Sequence, residues 1–381
     1  MKKYRRKLRV FHLITHFDLG GAERVAANIA ESASPDMEYH VVEILRGHSA
    51  FTQKFTAELK KAGVRCHRSL MPDFRFHFLP ERFAAVLFPL RFLWLWLRWR
   101  PDIIHTHTET PDIAFFAAKK LLPWAKSFAV VRTIHNTQLW TGLPRTAIRV
   151  EHMFGQCHAN IAISNSVRDS YAQRFGEIPP IIHNGVAEVE QKPFPAIEKG
   201  KTNILFAGRL EAQKGIDVLL ATITSLRGDT NYHFHIIGTG SMKGKVQTTV
   251  GNYPNVTLYD AVYGLSAYFA SFDYLFMPSE FEGLSMLSME ASLNGLPVIA
   301  NDCPGLSDTL PPDWQLKVHG NDLQAYLHIF KHILPQANRQ QLIEQARQYA
   351  LENFTVSLMQ THYEDVYRAK TGLKTISNTS R

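Results

Sequence analysis

Residues 274–305 read YLFMPSEFEGLSMLSMEASLNGLPVIANDCPG, a segment that alternates a strand, a helix and a second strand. Tyr274–Met277 and Pro297–Ala300 are short apolar runs, and Ser285–Leu293 between them has the composition of a buried helix. Such a unit is typical of a parallel sheet that is covered by helices on both faces. The segment therefore indicates an α/β fold.

The same alternation continues outward in both directions along the chain. Further strands are predicted at Val10–Thr15, His40–Leu45, Ile103–His107, Ala129–Ile134, Asn160–Ser164, Ile181–His183, Asn203–Ala207, His233–Ile237, Val256–Tyr259 and Leu316–Val318. Further helices are predicted at Ala22–Ser32, Phe51–Ala62, Ile113–Leu121, Ser166–Phe175, Gly215–Leu226, Leu265–Ala270, Asp322–Ile333, Arg339–Asn353 and Val356–Arg368.

A length of 381 residues fits two domains. Gln191–Lys201 contains two prolines and a glycine and is predicted to be a linker. The sequence thus predicts two doubly wound, Rossmann-like domains, 1–190 and 202–354, which face each other across a cleft. A last helical segment at 355–370 and a frayed polar tail at 371–381 complete the prediction.

Positive charge is concentrated at the start of the chain. The formal net charge is +8, and six basic residues lie within the first nine positions. Without those six the protein is nearly neutral, which argues against a nucleic-acid-binding protein.

Cysteine usage and the first apolar run bear on the cellular compartment. The three cysteines are widely spaced, so neither a disulfide framework nor a zinc ribbon is expected. The apolar run Leu8–Ile14 contains Arg9 and His12, and we interpret it as a strand rather than as part of a signal peptide. We therefore expect a cytoplasmic location.

One strongly apolar stretch, 83–97, is too short to span a bilayer and contains Pro89 and Arg91. The wider segment Phe74–Trp99 holds nine aromatic residues interleaved with four arginines. Its composition leaves two interpretations open: a helix that lies in a membrane interface, or a buried helix with a few stray arginines. Together with the basic N-terminus, this segment predicts peripheral contact with the inner face of the cell membrane.

The loop after Met277 offers groups that could bind a phosphorylated sugar. If a helix begins near Leu284, the amides of Gly283, Leu284 and Ser285 face outward at its N-terminus, where phosphate binds well. A carboxylate at Glu290 within an apolar helix needs hydrogen-bond donors, and sugar hydroxyls are natural ones. The alternative is that Glu290 has a partner in the core and that Glu282 only complements the helix dipole.

The stretch Ala207–Gly215, AGRLEAQKG, follows a predicted buried strand. It places Arg209 and Lys214 just beyond the carboxyl end of that strand. Two cations opposite a helix N-terminus could hold a diphosphate between them. The two stretches together predict a diphosphate site with a carboxylate on either side.

The N-terminal half contributes two further candidates. Gly20 and Gly21, between the first strand and the first helix, allow close approach of a phosphate or a sugar. The G-x-G-x-x-G fingerprint is absent there, so binding of NAD is not expected. His105 and His107 share one face of a strand, with His107 nearer its carboxyl end. Since no further metal-ligand motif accompanies them, no metal site is predicted.

These residues resemble the retaining, nucleotide-sugar-dependent GT-B glycosyltransferases of family 4. The resemblance covers most of the chain, and its motifs are the glycine pair, PDIIHTH (101–107), TIHN (133–136), AISNS (162–166), IIHNGV (181–186), AGRLEAQKG (207–215) and the E-x7-E stretch 282–290. The last two motifs are the specific ones.

The resemblance implies a role for each matching residue. Arg209 and Lys214 match the pair that binds the donor diphosphate, and Glu282 matches the acid that contacts the transferred sugar. The donor ribose is assigned to Glu290. The remaining assignments are Gly20 and Gly21 to a loop over phosphate and acceptor, His107 to a position near the transferred sugar, residues 283–285 to donor-facing amides, and the last helix to a return to the N-terminal, acceptor-binding domain.

The resulting hypothesis is a retaining hexosyltransferase that uses a nucleotide diphosphate-sugar and needs no metal or other cofactor. Its acceptor is expected to be lipid-linked or a polysaccharide, in the synthesis of lipopolysaccharide, capsule or exopolysaccharide. Two alternatives remain at this point: a non-catalytic nucleotide-sugar-binding scaffold of a polysaccharide assembly complex, and a sugar-nucleotide epimerase of the same fold.

Overall fold

The computed structural model describes residues 6–18, 20–49, 51–70, 78–124, 128–140 and 144–372, without the side chains of 78–86 and 144–145. Contacts divide the chain into two units. The first runs up to Gly185 and resumes at Val356, and the second spans Val186–Thr355.

The first unit is built on a parallel sheet of six strands. The strands are β1 (Leu8–Ile14), β2 (Met37–Glu43), β3 (Arg65–His67), β4 (Ile103–His107), β5 (Ala129–Ile134) and β6 (Asn160–Ala162), in the spatial order β3-β2-β1-β4-β5-β6. The helices are α1 (Gly21–Ala30), α2 (Thr52–Lys61), α3 (Phe78–Trp99), α4 (Glu109–Leu121), α5 (Pro144–Gln156), α6 (Asn165–Phe175) and, at the end of the chain, α12 (Val356–Lys370).

The second unit repeats this plan. Its strands are β7 (Thr202–Ala207), β8 (Tyr232–Ile237), β9 (Val256–Tyr259), β10 (Tyr274–Met277), β11 (Val298–Asn301) and β12 (Lys317–Val318), in the parallel order β12-β11-β10-β7-β8-β9. Its helices are α7 (Ile216–Ser225), α8 (Lys243–Val250), α9 (Met286–Leu293), α10 (Leu323–His328) and α11 (Arg339–Asn353). The predicted pair of doubly wound α/β sheets is confirmed.

Both sheets reverse their strand order at a single point, between β1 and β4 in the first unit and between β7 and β10 in the second. The loops that leave neighbouring strands there diverge to opposite faces, which opens a crevice at the carboxyl ends of the strands. Ligands of open parallel sheets bind in that crevice, so each unit has one predicted place for a site.

Helix α12 packs on the first sheet, although it follows the second unit in sequence. Its Met359, Tyr363 and Tyr367 are buried. The Tyr363 hydroxyl lies 2.8 Å from the hydroxyl of Thr133, and the Tyr367 hydroxyl lies 2.7 Å from Nδ1 of His105. These buried hydrogen bonds fix the last helix against β4 and β5.

The stretch 191–201, predicted as a linker, is part of the second unit. Phe194 is buried in that unit's apolar core. The Phe194 amide donates to Oγ of Ser271 (2.8 Å), and the Lys192 amide donates to the carbonyl of Ala267 (2.7 Å). The boundary between the units therefore falls after Gly185 rather than at 190.

Three elements have no counterpart among the predicted ones: the three-residue strand β3 and the helices α5 and α8. Conversely, the strand predicted at Ile181–His183 is reduced to a single bridge between Ile181 and Ala162.

Helix α3 has one buried side and one exposed side, so it is not buried all round. Phe88, Phe92, Leu95 and Trp96 are buried, whereas Leu87, Leu90, Trp94 and Leu97 are exposed. Residues 74–77 of the segment lie outside the described residues. No helix in the described part of the chain is both long and apolar enough to cross a bilayer.

Arg91 of α3 is not a stray surface arginine. Its guanidinium donates to the carbonyls of Glu43, His67 (2.8 Å) and Arg68 (3.0 Å). Arg91 therefore holds the helix against the ends of β2 and β3 and does not face a membrane.

Candidate functional site

Two loops interlock at the strand-order reversal of the second sheet. Gly215 has φ 67°, and a Cβ there would lie 1.8 Å from the carbonyl oxygen of Pro278. The Glu280 amide donates to the carbonyl of Gln213 (2.8 Å), and Nε2 of Gln213 donates to the carbonyl of Phe281 (3.0 Å). The loops that follow β7 and β10 are thus joined through their backbones, with glycine required at position 215.

This interlocking brings Lys214 and Glu282 together. Nζ of Lys214 donates to Oε1 of Glu282 over 2.6 Å, and the two side chains are only 20% and 11% exposed. A short, charge-assisted bond of this kind in a partly buried setting is strong and directional. The predicted proximity of these two residues is observed.

Arg209 is exposed at the end of the same loop. A Cβ on the neighbouring Gly208 would lie 3.9 Å from Cε of Lys214, so the backbone that carries Arg209 runs beside the lysine. Among the described residues, Arg209 makes no ion pair within 4 Å. Its guanidinium is available to an anion from solution.

The amide of Ser285 does not face outward as predicted. Helix α9 begins at Met286, Ser285 is its N-cap, and the Ser285 amide donates to the carbonyl of Gly305 (2.9 Å). Gly305, with φ 74°, can approach so closely because it lacks a Cβ, which would lie 2.1 Å from the carbonyl oxygen of Glu282. The Ser285 amide is therefore not a candidate for binding phosphate.

Glu290 differs from its predicted environment. It lies in the second turn of α9 and is half-buried rather than enclosed by the core. The premise that burial forces its carboxylate to find a sugar partner is therefore wrong, although its place on α9 leaves the role implied by the resemblance untouched.

Two asparagines that sequence reasoning missed hold the β10 loop in place. Nδ2 of Asn301 donates to the carbonyl of Ser279 (2.9 Å), and Nδ2 of Asn321 donates to the carbonyl of Pro278 (2.9 Å). Asn321 also donates to Oε1 of Glu280 (3.0 Å). The available signal was an asparagine at the carboxyl end of a strand, where side-chain amides commonly bond to loop backbone.

Glycines after β8 allow a second backbone contact with the β7 loop. A Cβ on Gly238 would lie 1.9 Å from the carbonyl oxygen of Gly208, and one on Gly240 would lie 2.4 Å from that of Leu210. Ser241 then donates from its amide to Glu211 (2.8 Å). These glycines let the loop that carries Arg209 pack closely against the loop after β8.

In the first unit, His107 lies inside a row of three histidines. Its Nε2 is 2.9 Å from Nδ1 of His12, and its Nδ1 is 3.1 Å from Nε2 of His135. Burial lowers the pKa of His12 to about 3 and that of His135 to about 3, and the pKa of His107 lies well below its ordinary value. The row is therefore neutral at physiological pH, and both ring nitrogens of His107 are occupied.

His12, His105 and His107 form a potential metal-binding group, because one ring nitrogen from each lies within 4.8 Å of the others. Neutral imidazole is the form that coordinates metals. His105, however, already contacts Tyr367 through Nδ1 and Thr133 through Nε2, both at 2.7 Å. A metal would have to displace one of these hydroxyls, so the arrangement suits hydrogen bonding to α12 better than metal binding.

Of the two N-terminal glycines, only Gly20 has a neighbouring atom near its Cβ position, and that atom belongs to a flexible glutamate side chain. A Cβ on Gly20 would lie 2.0 Å from Oε2 of Glu23, whereas one on Gly21 would meet nothing within 4 Å. Glu23 is buried, and burial raises the pKa of its carboxyl group. Gly20 thus lets the Glu23 carboxylate fold over the start of α1.

A polar pocket of about 440 Å³ opens beside these residues, at the carboxyl ends of β1, β4 and β5; its lining includes His16, Glu23, Glu109, Arg132 and His135. Thr108, directly after His107, has φ 73° and ψ 169°. Such a conformation is strained for a β-branched residue, by about 1–3 kcal/mol, and strain of this kind clusters at functional sites.

A buried ion-pair network supports one wall of the pocket. Nε of Arg132 donates to Asp112 (2.8 Å), and its two terminal nitrogens donate to Glu151 (2.7 and 2.8 Å). Glu151 also accepts from the Tyr171 hydroxyl (2.5 Å). Because the guanidinium has two carboxylates around it, its charge is balanced inside the unit.

Two family models match the chain. The model described as Glycosyltransferase Family 4 matches residues 19–188, and the model described as Glycosyl transferases group 1 matches residues 201–334. The chain belongs to glycosyltransferase family 4. The two matches fall on the first and second unit respectively, so both parts of this glycosyltransferase are accounted for.

Curated relatives of this family 4 member are moderately similar. An uncharacterized 41.2 kDa protein in the cps region of Klebsiella pneumoniae is 28% identical over 295 residues, which are 70% of this chain and 79% of that protein. The lipopolysaccharide 1,6-galactosyltransferase of Escherichia coli K12 is 30% identical over 40% of this chain and 46% of its own length. A GDP-mannose-dependent alpha-mannosyltransferase of Mycobacterium tuberculosis CDC 1551 is 31% identical over 63% and 58%.

Solved structures share the fold at low sequence identity. A glycosyltransferase from Rickettsia africae superposes with a TM-score of 0.75 at 14% identity, covering 98% of this chain and all of that one. The Anabaena protein Alr3699/HepE, solved in complex with UDP-glucose, gives a TM-score of 0.74 at 15% identity, covering 95% and 100%. The two six-stranded sheets are those of the GT-B fold.

Proposed function

We propose that this glycosyltransferase moves a hexose-type sugar, with retention at the anomeric carbon, from a nucleotide diphosphate-sugar to a lipid-linked or polysaccharide acceptor. The acceptor would belong to a bacterial cell-surface glycan such as lipopolysaccharide, capsule or exopolysaccharide. The second unit binds the donor in this proposal, and the first unit binds the acceptor.

The observation that carries the proposal is the Lys214–Glu282 pair at the strand-order reversal of the second sheet, beside the exposed Arg209. A lysine and an arginine match the charge of a diphosphate, and a carboxylate matches sugar hydroxyls. The Lys214–Glu282 pair therefore offers a cation for the diphosphate and a carboxylate for the sugar hydroxyls. It does so at the place where open parallel sheets bind their ligands.

The same groups could lower the barrier to transfer. As the bond between the anomeric carbon and the phosphate oxygen breaks, negative charge grows on the leaving diphosphate, and Arg209 and Lys214 stabilise that charge. In a same-face route, the acceptor oxygen bonds to the anomeric carbon while its proton passes to the departing phosphate oxygen. No protein base is required, which agrees with a neutral His107 that is fully hydrogen-bonded to its neighbours.

The comparisons support the substrate classes. The Anabaena neighbour was solved with UDP-glucose, and the relatives include a cps-region protein and a lipopolysaccharide galactosyltransferase. These names favour a nucleotide-sugar donor and a cell-surface glycan product.

A thermal-shift screen against nucleotide-sugars tests donor binding, with Lys214→Ala as the variant and Lys243→Ala as a control. A donor at about 100 times its Kd stabilises the native state by about 2.7 kcal/mol and so raises Tm by several degrees. We expect this shift in the wild type and in Lys243→Ala. Lys214→Ala should weaken donor binding by about 10- to 100-fold, since it loses a charge-assisted contact.

Glu282→Gln tests whether Glu282 contributes to binding of the sugar and not to binding of the nucleoside diphosphate. We expect it to keep affinity for the nucleoside diphosphate but to lose the additional affinity for the corresponding nucleotide-sugar. Equal donor binding by the wild type and Lys214→Ala, or no stabilisation by any nucleotide-sugar, contradicts the proposal.

A further inference from the structure

Exposed large apolar side chains are concentrated in one region of the first unit. Among the described residues ten such side chains are exposed, and six of them lie on α3 and around the end of α4. These six are Leu87, Leu90, Trp94, Leu97, Leu121 and Trp124, with exposures of 44–71%. We call this set the α3–α4 face.

The four side chains on α3 form one row rather than scattered positions. The α3 members follow one another at intervals of three, four and three residues, which places them on one side of the helix. The opposite side, including Phe92 and Leu95, is buried. Trp124 lies at the end of α3, because its ring packs edge-on against Trp96 at 5.5 Å. A contiguous exposed apolar patch of this kind marks an interaction surface.

Cations border this face at one end. Helices α3 and α4 flank the intervening strand β4 and run in the same direction, so their C-terminal ends lie at the same edge of the sheet. Arg98 and Arg100 come from the end of α3, and Lys120 from the last turn of α4, all exposed. Arg6 pairs with Asp102 (2.5 Å), so Arg6 also lies at this edge.

A recess of about 540 Å³ opens at this edge, next to Trp124 in sequence. Its lining includes Lys119, Lys370, Phe128 and Val130. Within the described part of the chain, neither lysine has a carboxylate in ion-pair distance: Lys119 contacts Sγ of Cys157 (2.9 Å), and Lys370 donates to the carbonyl of His158 (2.7 Å). The recess combines an apolar floor with two cations that lack an acidic partner.

We propose that the α3–α4 face docks on the surface of a bilayer that contains anionic phospholipids. Trp94 and Trp124 lie at the level of the headgroups, the leucines enter the acyl boundary, and the bordering cations meet lipid phosphates. Charge complementarity favours this occupant, because the apolar row and the cations adjoin and a bilayer surface offers a match to both. Anionic lipid is typical of the cytoplasmic leaflet, so docking places the enzyme at the inner face of the membrane.

Docking would bring the enzyme to the lipid-linked acceptor of the proposed function, on which this proposal rests. Membrane docking and donor binding are nevertheless measured in separate experiments. Flotation of the full-length protein with phosphatidylcholine vesicles, with and without phosphatidylglycerol, at low salt reports docking. Nucleotide-sugar binding in solution, without vesicles, reports the donor site. A protein that binds donor but does not float refutes docking alone.

Matched variants test whether the α3–α4 face is the surface that binds the vesicles. Leu90→Ser/Trp94→Ser should reduce the bound fraction at least tenfold, whereas Ile148→Ser, an exposed isoleucine on α5, should not. Arg98→Ala/Lys120→Ala should remove the preference for phosphatidylglycerol, while Lys243→Ala/Lys245→Ala removes the same charge from the second unit and should keep it. Wild-type flotation by the α3–α4 variants, no flotation of the wild type, or dimerisation through this face without vesicles overturns the proposal.

Discussion

At the scale of single residues, glycines decide where the loops of the second unit can meet. Gly215 places its backbone against the Pro278 carbonyl, and Gly305 places its own against Glu282. Any side chain at these positions pushes apart the loops that bring Lys214 to Glu282. The ion pair therefore depends on residues that carry no functional group.

Gly215→Ala tests this dependence. The added Cβ would lie 1.8 Å from a backbone oxygen, and alanine disfavours the φ of 67° that the position requires. We expect the free energy of unfolding to fall by about 1–3 kcal/mol and donor affinity to fall with it, as measured by chemical denaturation and thermal shift.

Gly244→Ala is the matched control for that experiment, because a Cβ there meets nothing within 4 Å and the residue lies inside α8. It should be neutral or stabilising by up to about 1 kcal/mol. If both variants behave alike, the close approach of the two loops is not what Gly215 provides.

The sequence allowed the Lys214–Glu282 proximity to be predicted, because each residue follows a buried strand and neighbouring parallel strands end at one edge. The use of the Ser285 amide by Gly305 could not be predicted. It depends on how closely the loop with Gly305, some twenty positions later in the chain, approaches the start of α9. No local sequence pattern predicts that approach.

At the scale of elements, α12 is held on the first sheet by buried tyrosine hydroxyls. Tyr367 contacts His105, and Tyr363 contacts Thr133. Each hydroxyl satisfies a polar group that has no access to water, so the helix is tied by hydrogen bonds as well as by apolar packing.

Tyr367→Phe removes one of these ties and leaves Nδ1 of His105 buried without a partner. We expect a loss of about 1–3 kcal/mol of stability, the cost of an unsatisfied buried polar group. Tyr253→Phe, at a half-buried tyrosine of the second unit, should change stability by less than about 0.5 kcal/mol. Denaturant midpoints measure both, and equal values would show that the His105 contact contributes nothing.

Elements marked by a clear run or period of apolar residues were predictable from the sequence. Elements that are very short or that lack such a pattern were not. β4, β5, β9 and β10 have the bounds that their apolar runs predict. β3 is only three residues long, Arg65–His67, with one apolar side chain, so no run marks it. Its strand conformation comes from pairing with β2, a tertiary effect that local propensity does not carry.

At the scale of the whole molecule, the first unit contains many buried, neutral histidines. Burial lowers the pKa of His12 and His135 to about 3, and that of His40 and His67 to about 4. The pKa values of His105 and His107 lie well below the ordinary value. All six have pKa values below those of the unfolded chain.

This predicts that the first unit loses stability in mild acid. Below a pH of about 6.5 the unfolded chain binds protons that the folded unit does not, so stability is complete above that pH and falls as pH decreases. Each such histidine can contribute up to about 1.4 kcal/mol per pH unit. Burial raises the pKa of the Asp112 carboxyl group to about 6 and also raises the pKa values of Glu23 and Glu31. These three carboxyl groups act in the opposite direction, but the six histidines outnumber them.

Calorimetry between pH 7.5 and 5 should therefore show a marked fall in Tm for one transition. The second unit holds only His233 and His235 with lowered pKa values, so its transition should move less. A Tm that stays constant over this range would mean that the histidines are solvated or protonated in the folded state.

In the proposed donor site, the bond between Lys214 and Glu282 would also act as a selection filter. An isolated anion that captures the lysine leaves the carboxylate without its counter-charge, so part of the binding free energy is lost in breaking the pair. A molecule that offers an anion and a polyol at the right separation compensates both partners at once. If the pair binds the donor as proposed, the site would disfavour small phosphates and spent nucleotides and favour the intact, bifunctional substrate.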